Sequence, residues 1–181
     1  MAGKNFLSLI LSTVLMLSVF TGFTGCSSQK KDEEKLEGPK VTITETASSV
    51  TLDNGLVSFT IDKGSAKVTK ISKNGGSNLL GYSGKGYYLI NYVVDGKRTE
   101  WGPGSGDMTY KLVSQSDDQV EIALSIDNPK KMPFYLEIHF IMRRGSSGIY
   151  FYDYYKYTDN MPDNAEIEQA RYAFRVDPNV F

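Results

Sequence analysis

One cysteine, one histidine and a formal net charge of −1 remove several kinds of chemistry at once. A single thiol, Cys26, forbids an intrachain disulfide. With His139 the sole histidine and the acids scattered, no spacing matches a zinc or calcium site, so neither a metal nor another cofactor is expected. The balanced charge supplies no global field, and the basic surplus that a nucleic-acid binder needs is missing. No serine or cysteine nucleophile motif occurs: Gly145-Ser146-Ser147-Gly148 has no base nearby and reads as a hairpin turn. Gly102-Pro103-Gly104-Ser105-Gly106 is rich in glycine, but no helix pattern follows to aim amides at a phosphate, and it reads as a loop. Any attraction for a polyanion must therefore be local, with Arg171 and Arg175 as first candidates and Arg143 and Arg144 as secondary ones.

What is present begins with an export signal. Lys4 supplies a small positive region and Phe6 to Phe20 an apolar one, shorter than the run of about 20 apolar residues that spans a bilayer. Phe23-Thr24-Gly25-Cys26, followed by Ser27-Ser28, resembles the lipobox of bacterial lipoproteins, with Phe where Leu is usual. The resemblance implies acylation of Cys26, which becomes the new N-terminus, and a lipid-anchored protein at the bacterial cell surface. An ordinary secretory signal with an incidental cysteine is the competing reading. Residues 1–26 are thus read as the lipoprotein signal with its lipobox and 27–40 as a polar tether. The tether carries Lys30, Lys31, Asp32, Glu33, Glu34 and Lys35 in succession, with almost nothing to bury, and holds the folded part away from the lipid.

The remaining 41–181, about 140 residues, suffice for one domain with a core. Their hydrophobic pattern has period two almost throughout, and no convincing helix is present. Strands are predicted over 41–46, 56–61, 66–72, 87–94, 108–114, 119–126, 134–142, 149–157 and 167–176. Turn signals such as Asp53-Asn54-Gly55, Asp95-Gly96 and Asn128-Pro129 separate them. The fold class is all-β, an antiparallel β-sandwich. Val120, Ile122, Leu124 and Ile126 form one core row, and Phe134, Leu136, Ile138, Phe140 and Met142 form the next. In 149–157 both faces carry aromatics, Tyr150, Tyr152 and Tyr154 on one and Phe151, Tyr155 and Tyr157 on the other. That pattern predicts a central strand covered on both sides, its tyrosines serving either as amphipathic core or as a platform for sugar rings. Asp153 in its middle should meet a buried cation, such as Lys156 or an arginine, or mark a polar cleft.

The last strand holds the candidate site. In Gln169-Ala170-Arg171-Tyr172-Ala173-Phe174-Arg175 the two arginines project from the same side, with Ala173 between them. At about 3.3 Å per residue they stand roughly 13 Å apart, a spacing suited to separate anionic groups on an extended ligand. The bland alternative is salt bridging to Glu166 and Glu168. His139, alternating with Glu137 and Tyr135, reads as a hydrogen-bonded structural residue. Trp101, between strands, either stacks on a sugar or caps one end of the sandwich.

Three segments together carry a family resemblance: Leu52-Asp53-Asn54-Gly55-Leu56-Val57-Ser58-Phe59-Thr60-Ile61, Met142-Arg143-Arg144-Gly145-Ser146-Ser147-Gly148-Ile149-Tyr150, and Gln169 to Arg175 followed by Asp177-Pro178-Asn179-Val180-Phe181. In order and spacing they resemble the start of rhamnogalacturonan lyases of polysaccharide lyase family 4, over roughly 50–181. The resemblance implies a galactose-mutarotase-like β-supersandwich and cleavage of the rhamnose–galacturonate bond of rhamnogalacturonan I, an acidic plant polysaccharide of pectin, by β-elimination. Loss of the C5 proton of galacturonate builds negative charge on its carboxylate, so the reaction needs a base and cations placed for the enolate. Arg171 and Arg175 match the two arginines that hold the acidic substrate in the family. The lysine and histidine of proton transfer lie downstream of that strand, beyond Phe181, so no catalytic residue is expected within this chain. The family's first domain runs to on the order of 250 residues, so 41–181 is expected to be its N-terminal portion, an incomplete supersandwich inactive in cleavage. A surface lipoprotein that binds carbohydrate without a reaction is the alternative, and a purely structural envelope lipoprotein a third.

Overall fold

In a computed structural model of the chain, the described residues are 37–81, 85–159 and 161–180. Cys26, the signal and all of the tether but 37–40 lie outside them. The described residues form two antiparallel sheets and contain no helix.

The first sheet holds β1 (Thr42–Glu45), β2 (Ser49–Asp53), β3 (Val57–Asp62), β4 (Val68–Lys73), β5 (Gly86–Val94), β6 (Lys97–Trp101) and β11 (Ala165–Phe174). Its order is β1-β2-β3-β4-β5-β11, with β6 also paired to β5. The second sheet runs β10-β9-β8-β7, with β7 at Thr109–Gln115, β8 at Gln119–Ile126, β9 at Tyr135–Arg143 and β10 at Ile149–Lys156. This is the antiparallel sandwich that the period-two pattern predicts. The rows on β8 and β9 are core as expected: Ile122, Leu124, Leu136, Ile138, Phe140 and Met142 are fully buried. Each such side chain contributes about 1.5 to 3 kcal/mol. From the first sheet they meet Val50, Leu52, Ile61, Val68, Tyr88 and Ile90.

Two strands escape the sequence pattern. β2 is short, with only Val50 and Leu52 as apolar residues, both fully buried. β6 is Lys-Arg-Thr-Glu-Trp and has no apolar row. It exists because Asp95 and Gly96 both adopt positive φ, 49° and 76°, the twist of a two-residue hairpin that folds β6 back on β5. Trp101 thereby ends a strand instead of sitting in a loop. It pairs with Ile90 and packs half-buried against the core, the capping role and not the exposed one.

β10 is not central. It pairs with β9 alone among the described residues, and Tyr150, Phe151, Tyr152, Tyr154 and Tyr157 are all exposed. Among the described residues Asp153 meets no cation either; it accepts a hydrogen bond from Tyr88 across the interior, beside the Tyr155 hydroxyl, which bonds Tyr88 in turn. Burial first, then the Asp153 bond, pushes the Tyr88 phenol far above its ordinary range, so it stays a proton donor. Tyr172 on β11 completes this side: its ring lies 5.0 Å from Phe174 and 5.4 Å from Phe151. Its hydroxyl bonds the Ala66 carbonyl and receives the Val68 amide at 3.1 Å.

Candidate functional site

Register decides what surrounds the two arginines. β11 lies antiparallel to β5, with Arg171 opposite Leu89, Tyr172 opposite Tyr88 and Ala173 opposite Tyr87. Directly opposed residues share a face. Tyr88 and Tyr172 point into the core, so Arg171, Ala173, Tyr87, Leu89 and Asn91 occupy the outer face of the first sheet. Arg175, one residue beyond the end of β11, reaches the same face, where its Nη2 donates to the Tyr87 hydroxyl at 3.0 Å. Its guanidinium lies 5.6 Å from the Tyr87 ring centroid, within range of a cation–π contact.

Arg171 is held more firmly. Its Nη2 is 3.1 Å from Glu100 Oε2, and its Nη1 donates to Asn91 Oδ1 at 3.1 Å and to Gln169 Oε1. Asn91, only 3% exposed, also donates to Glu100 at 3.3 Å. The bland alternative names Glu166 and Glu168 as partners. The structure supplies Glu100 instead, while Glu168 is taken by Arg98 at 2.5 Å. β5 lies between β6 and β11, and a long arginine spans it to reach Glu100 on the far neighbour.

Beside this row runs an open cleft of about 250 Å³, lined by Lys67, Tyr87, Tyr88, Leu89, Gly102 and Pro103. Gly102 is required there: a Cβ at that position would stand 2.6 Å from the Tyr88 carbonyl oxygen. The glycine-rich loop thus lies directly against β5 and forms one wall. Lys67, exposed and also lining the cleft, adds a third positive charge near Tyr87. Lys67, Arg171 and Arg175 thus bring three cations to this region, of which Arg171 is paired with Glu100. Planar donors on an aromatic-lined face are suited to hold carboxylates, and the tyrosine and leucine surface supplies flat apolar contact between them.

Other sequence candidates lie elsewhere. Arg144 donates to the Gly38 carbonyl at 2.7 Å and to Asp118 at 3.2 Å, so it ties the β9–β10 hairpin to the segment before β1. His139 sits on the outer face of the second sheet, with Nδ1 2.7 Å from Glu121 and Nε2 3.2 Å from Glu137, the hydrogen-bonded role expected of it. The residues that sequence reasoning missed are Tyr87, Asn91, Glu100 and Lys67. Only Asn91 left a trace, as the lone amide in the otherwise apolar run Tyr87 to Val94.

Among curated proteins a search finds no match. A family model described as "Rhamnogalacturonate lyase family" matches residues 26–181. That match takes in every strand and both arginines, and the chain belongs to the rhamnogalacturonate lyase family.

Proposed function

We propose that the outer face of the first sheet binds the galacturonate units of rhamnogalacturonan I through Arg171 and Arg175, in a protein whose reaction is β-elimination at the rhamnose–galacturonate bond. The observation that carries the reading is the placement of both guanidiniums on one exposed face, flanking Tyr87 and the cleft beside it. A carboxylate seated at either arginine meets a preformed donor: Arg171 is oriented by Asn91 and Arg175 by Tyr87. As the C5 proton leaves, charge grows on that carboxylate, and a fixed guanidinium stabilises it without reorganising. No residue of 41–181 is assigned the proton transfer, which the family resemblance gives to a lysine and a histidine downstream. Residues 1–181 by themselves are therefore expected to bind the polymer without cleaving it. The lipobox at Cys26 and the tether over 27–40 support anchoring at a bacterial cell surface.

The test is affinity electrophoresis through a gel containing rhamnogalacturonan I. The chain should be retarded, the retardation should weaken with added salt, and the Arg171→Ala, Arg175→Ala double variant should lose it. Equal retardation of the variant overturns the assignment. Absorbance of an unsaturated uronate product, measured in parallel, should stay at background; its appearance would place a base within these residues.

A further inference from the structure

The second sheet has an outer face with a construction of its own. The register places Tyr152 opposite His139, Tyr154 opposite Glu137 and Tyr150 opposite Ile141, so Tyr150, Tyr152 and Tyr154 form a row along β10 at roughly 7 Å intervals. All three are about half exposed, at 56%, 45% and 49%. Half-exposed tyrosines on an edge strand are ordinarily loose, but Tyr152 is not. Its ring stacks on the His139 imidazole with centroids 4.4 Å apart and planes 13° from parallel. Its hydroxyl donates to Glu121 Oε1 at 3.1 Å. His139 is itself clamped, Nδ1 by Glu121 at 2.7 Å and Nε2 by Glu137 at 3.2 Å, and Glu137 is fixed from its far side by the Tyr135 hydroxyl at 2.7 Å.

The consequence is a ring held parallel to an imidazole that covers one π-face, on a side chain that stays about half exposed. The ring is held outward from the sheet by a network whose own members are largely covered, His139, Glu121 and Glu137 having side-chain exposures of 12%, 17% and 22%. The C–H bonds on one side of a pyranose carry slight positive charge and meet the negative face of an aromatic ring, which makes a flat exposed ring a seat for a sugar. The chemistry at its rim selects which sugar. Glu121 and Glu137, engaged by His139, Tyr152 and Tyr135 and 17% and 22% exposed, keep negative charge beside the ring, which favours hydroxyl groups and repels a uronate carboxylate. The first sheet's outer face, with Arg171, Arg175 and Lys67, has the opposite sign.

From this geometry we infer that the outer face of the second sheet is a separate glycan-binding surface, on which Tyr152 seats a neutral pyranose and Tyr150 and Tyr154 extend the contact along a chain. The inference rests on the reading that this family member handles polysaccharide, yet it uses none of the residues assigned to galacturonate. His139 and Glu137 act here as positioning residues, and Tyr152 makes the contact.

The experiment is affinity electrophoresis of the full chain through gels containing a neutral polymer, β-1,4-galactan or hydroxyethylcellulose, with rhamnogalacturonan I as the acidic counterpart. The chain should be retarded by at least one neutral polymer, indifferently to salt. Tyr152→Ala should weaken that retardation by about tenfold, the loss of one stacking contact, whereas Tyr152→Trp should keep or strengthen it. His139→Gln, which removes the support and keeps the fold, should weaken it less. Arg171→Ala, Arg175→Ala should leave it unchanged while abolishing retardation by the acidic polymer, so the two sites fail separately. No retardation by either neutral polymer overturns the inference, as does equal retardation of the Tyr152→Ala variant. A dimer in sedimentation that Tyr152→Ala dissolves, with no effect of either polymer, would identify the face as a contact between copies and overturn it too.

Discussion

Arg171 and Glu100 meet 3.1 Å apart across the full width of β5, from strands that lie on either side of it. The pair is exposed, with side-chain accessibilities of 35% and 55%, so its net contribution to stability is small. Its larger effect is on the ligand, because an incoming carboxylate competes with Glu100 for the same guanidinium.

Replacing Glu100 with Gln should therefore raise affinity for the acidic polymer. An exposed pair is worth about 0.2 to 1 kcal/mol, so the gain should be about 1.4- to fivefold, with the melting temperature little changed. Retention on rhamnogalacturonan I at fixed salt measures it, and a decrease would mean that Glu100 orients Arg171 more than it occupies it.

Across the interior, Tyr88→Phe removes the hydroxyl that serves Asp153. Tyr88 is only 2% exposed, so little water can replace the lost donor. The expected cost is about 1 to 3 kcal/mol in urea unfolding. A further Asp153→Asn change should recover part of it, because the carboxylate's need for a donor is then gone; an unaltered midpoint in the single variant would show that Tyr155 serves Asp153 without help.

Asn54 joins the two sheets at the end near the β9–β10 hairpin. Fully buried, it donates from Nδ2 to the carbonyls of Arg143 at 2.8 Å and Ser146 at 2.7 Å. Its Oδ1 accepts the amides of Leu56 and Val57 at 3.1 and 3.0 Å. Asn54→Ala strands groups on both sides at once and should destabilise by about 1 to 3 kcal/mol. Asp in its place should be comparably damaging, since a carboxylate would face two carbonyl oxygens. Thermal unfolding of the two variants decides this.

Asp107 supplies the pH dependence. The Lys131 ammonium first, then the Gly104 amide, holds its carboxyl below the usual aspartate range. A depressed folded value means stability that is fully present above the unfolded value of about 3.9 and is lost as pH falls through the lower folded value. Asp107→Asn should thus lower the melting temperature at pH 7, and the difference from the parent should shrink towards zero below about pH 4. A difference that persists undiminished in acid would assign the effect to packing.

Parts of this architecture are legible in the sequence. β8 and β9 show it best: Ile122, Leu124, Leu136 and Ile138 recur at every second position along their strands, and every one is buried. Arg171 and Arg175 do share a face, because two intervening pleats return the side chain to the same side. β6 is hidden because Lys97, Arg98 and Glu100 advertise no buried face, though Asp95-Gly96 is a hairpin signal that could have revealed it. β10 is misplaced by its pattern for the converse reason. Aromatics on both faces look like double burial, whereas here the inward Tyr155 and Asp153 serve Tyr88 and the outward tyrosines remain in solvent.

Alternation along a strand is a property of the local backbone, and so the core rows, the all-β class and the common side of the two arginines are contained in the order of residues alone. Which strand lies beside which is settled by burial of the whole core, through hydrogen-bond registers joining segments that are 70 to 90 positions apart, as Arg171 is 71 from Glu100 and Arg175 is 88 from Tyr87. No local pattern encodes such distances. Tertiary structure therefore chose Glu100, Asn91 and Tyr87 as the arginines' companions, and it stacked Tyr152 on His139.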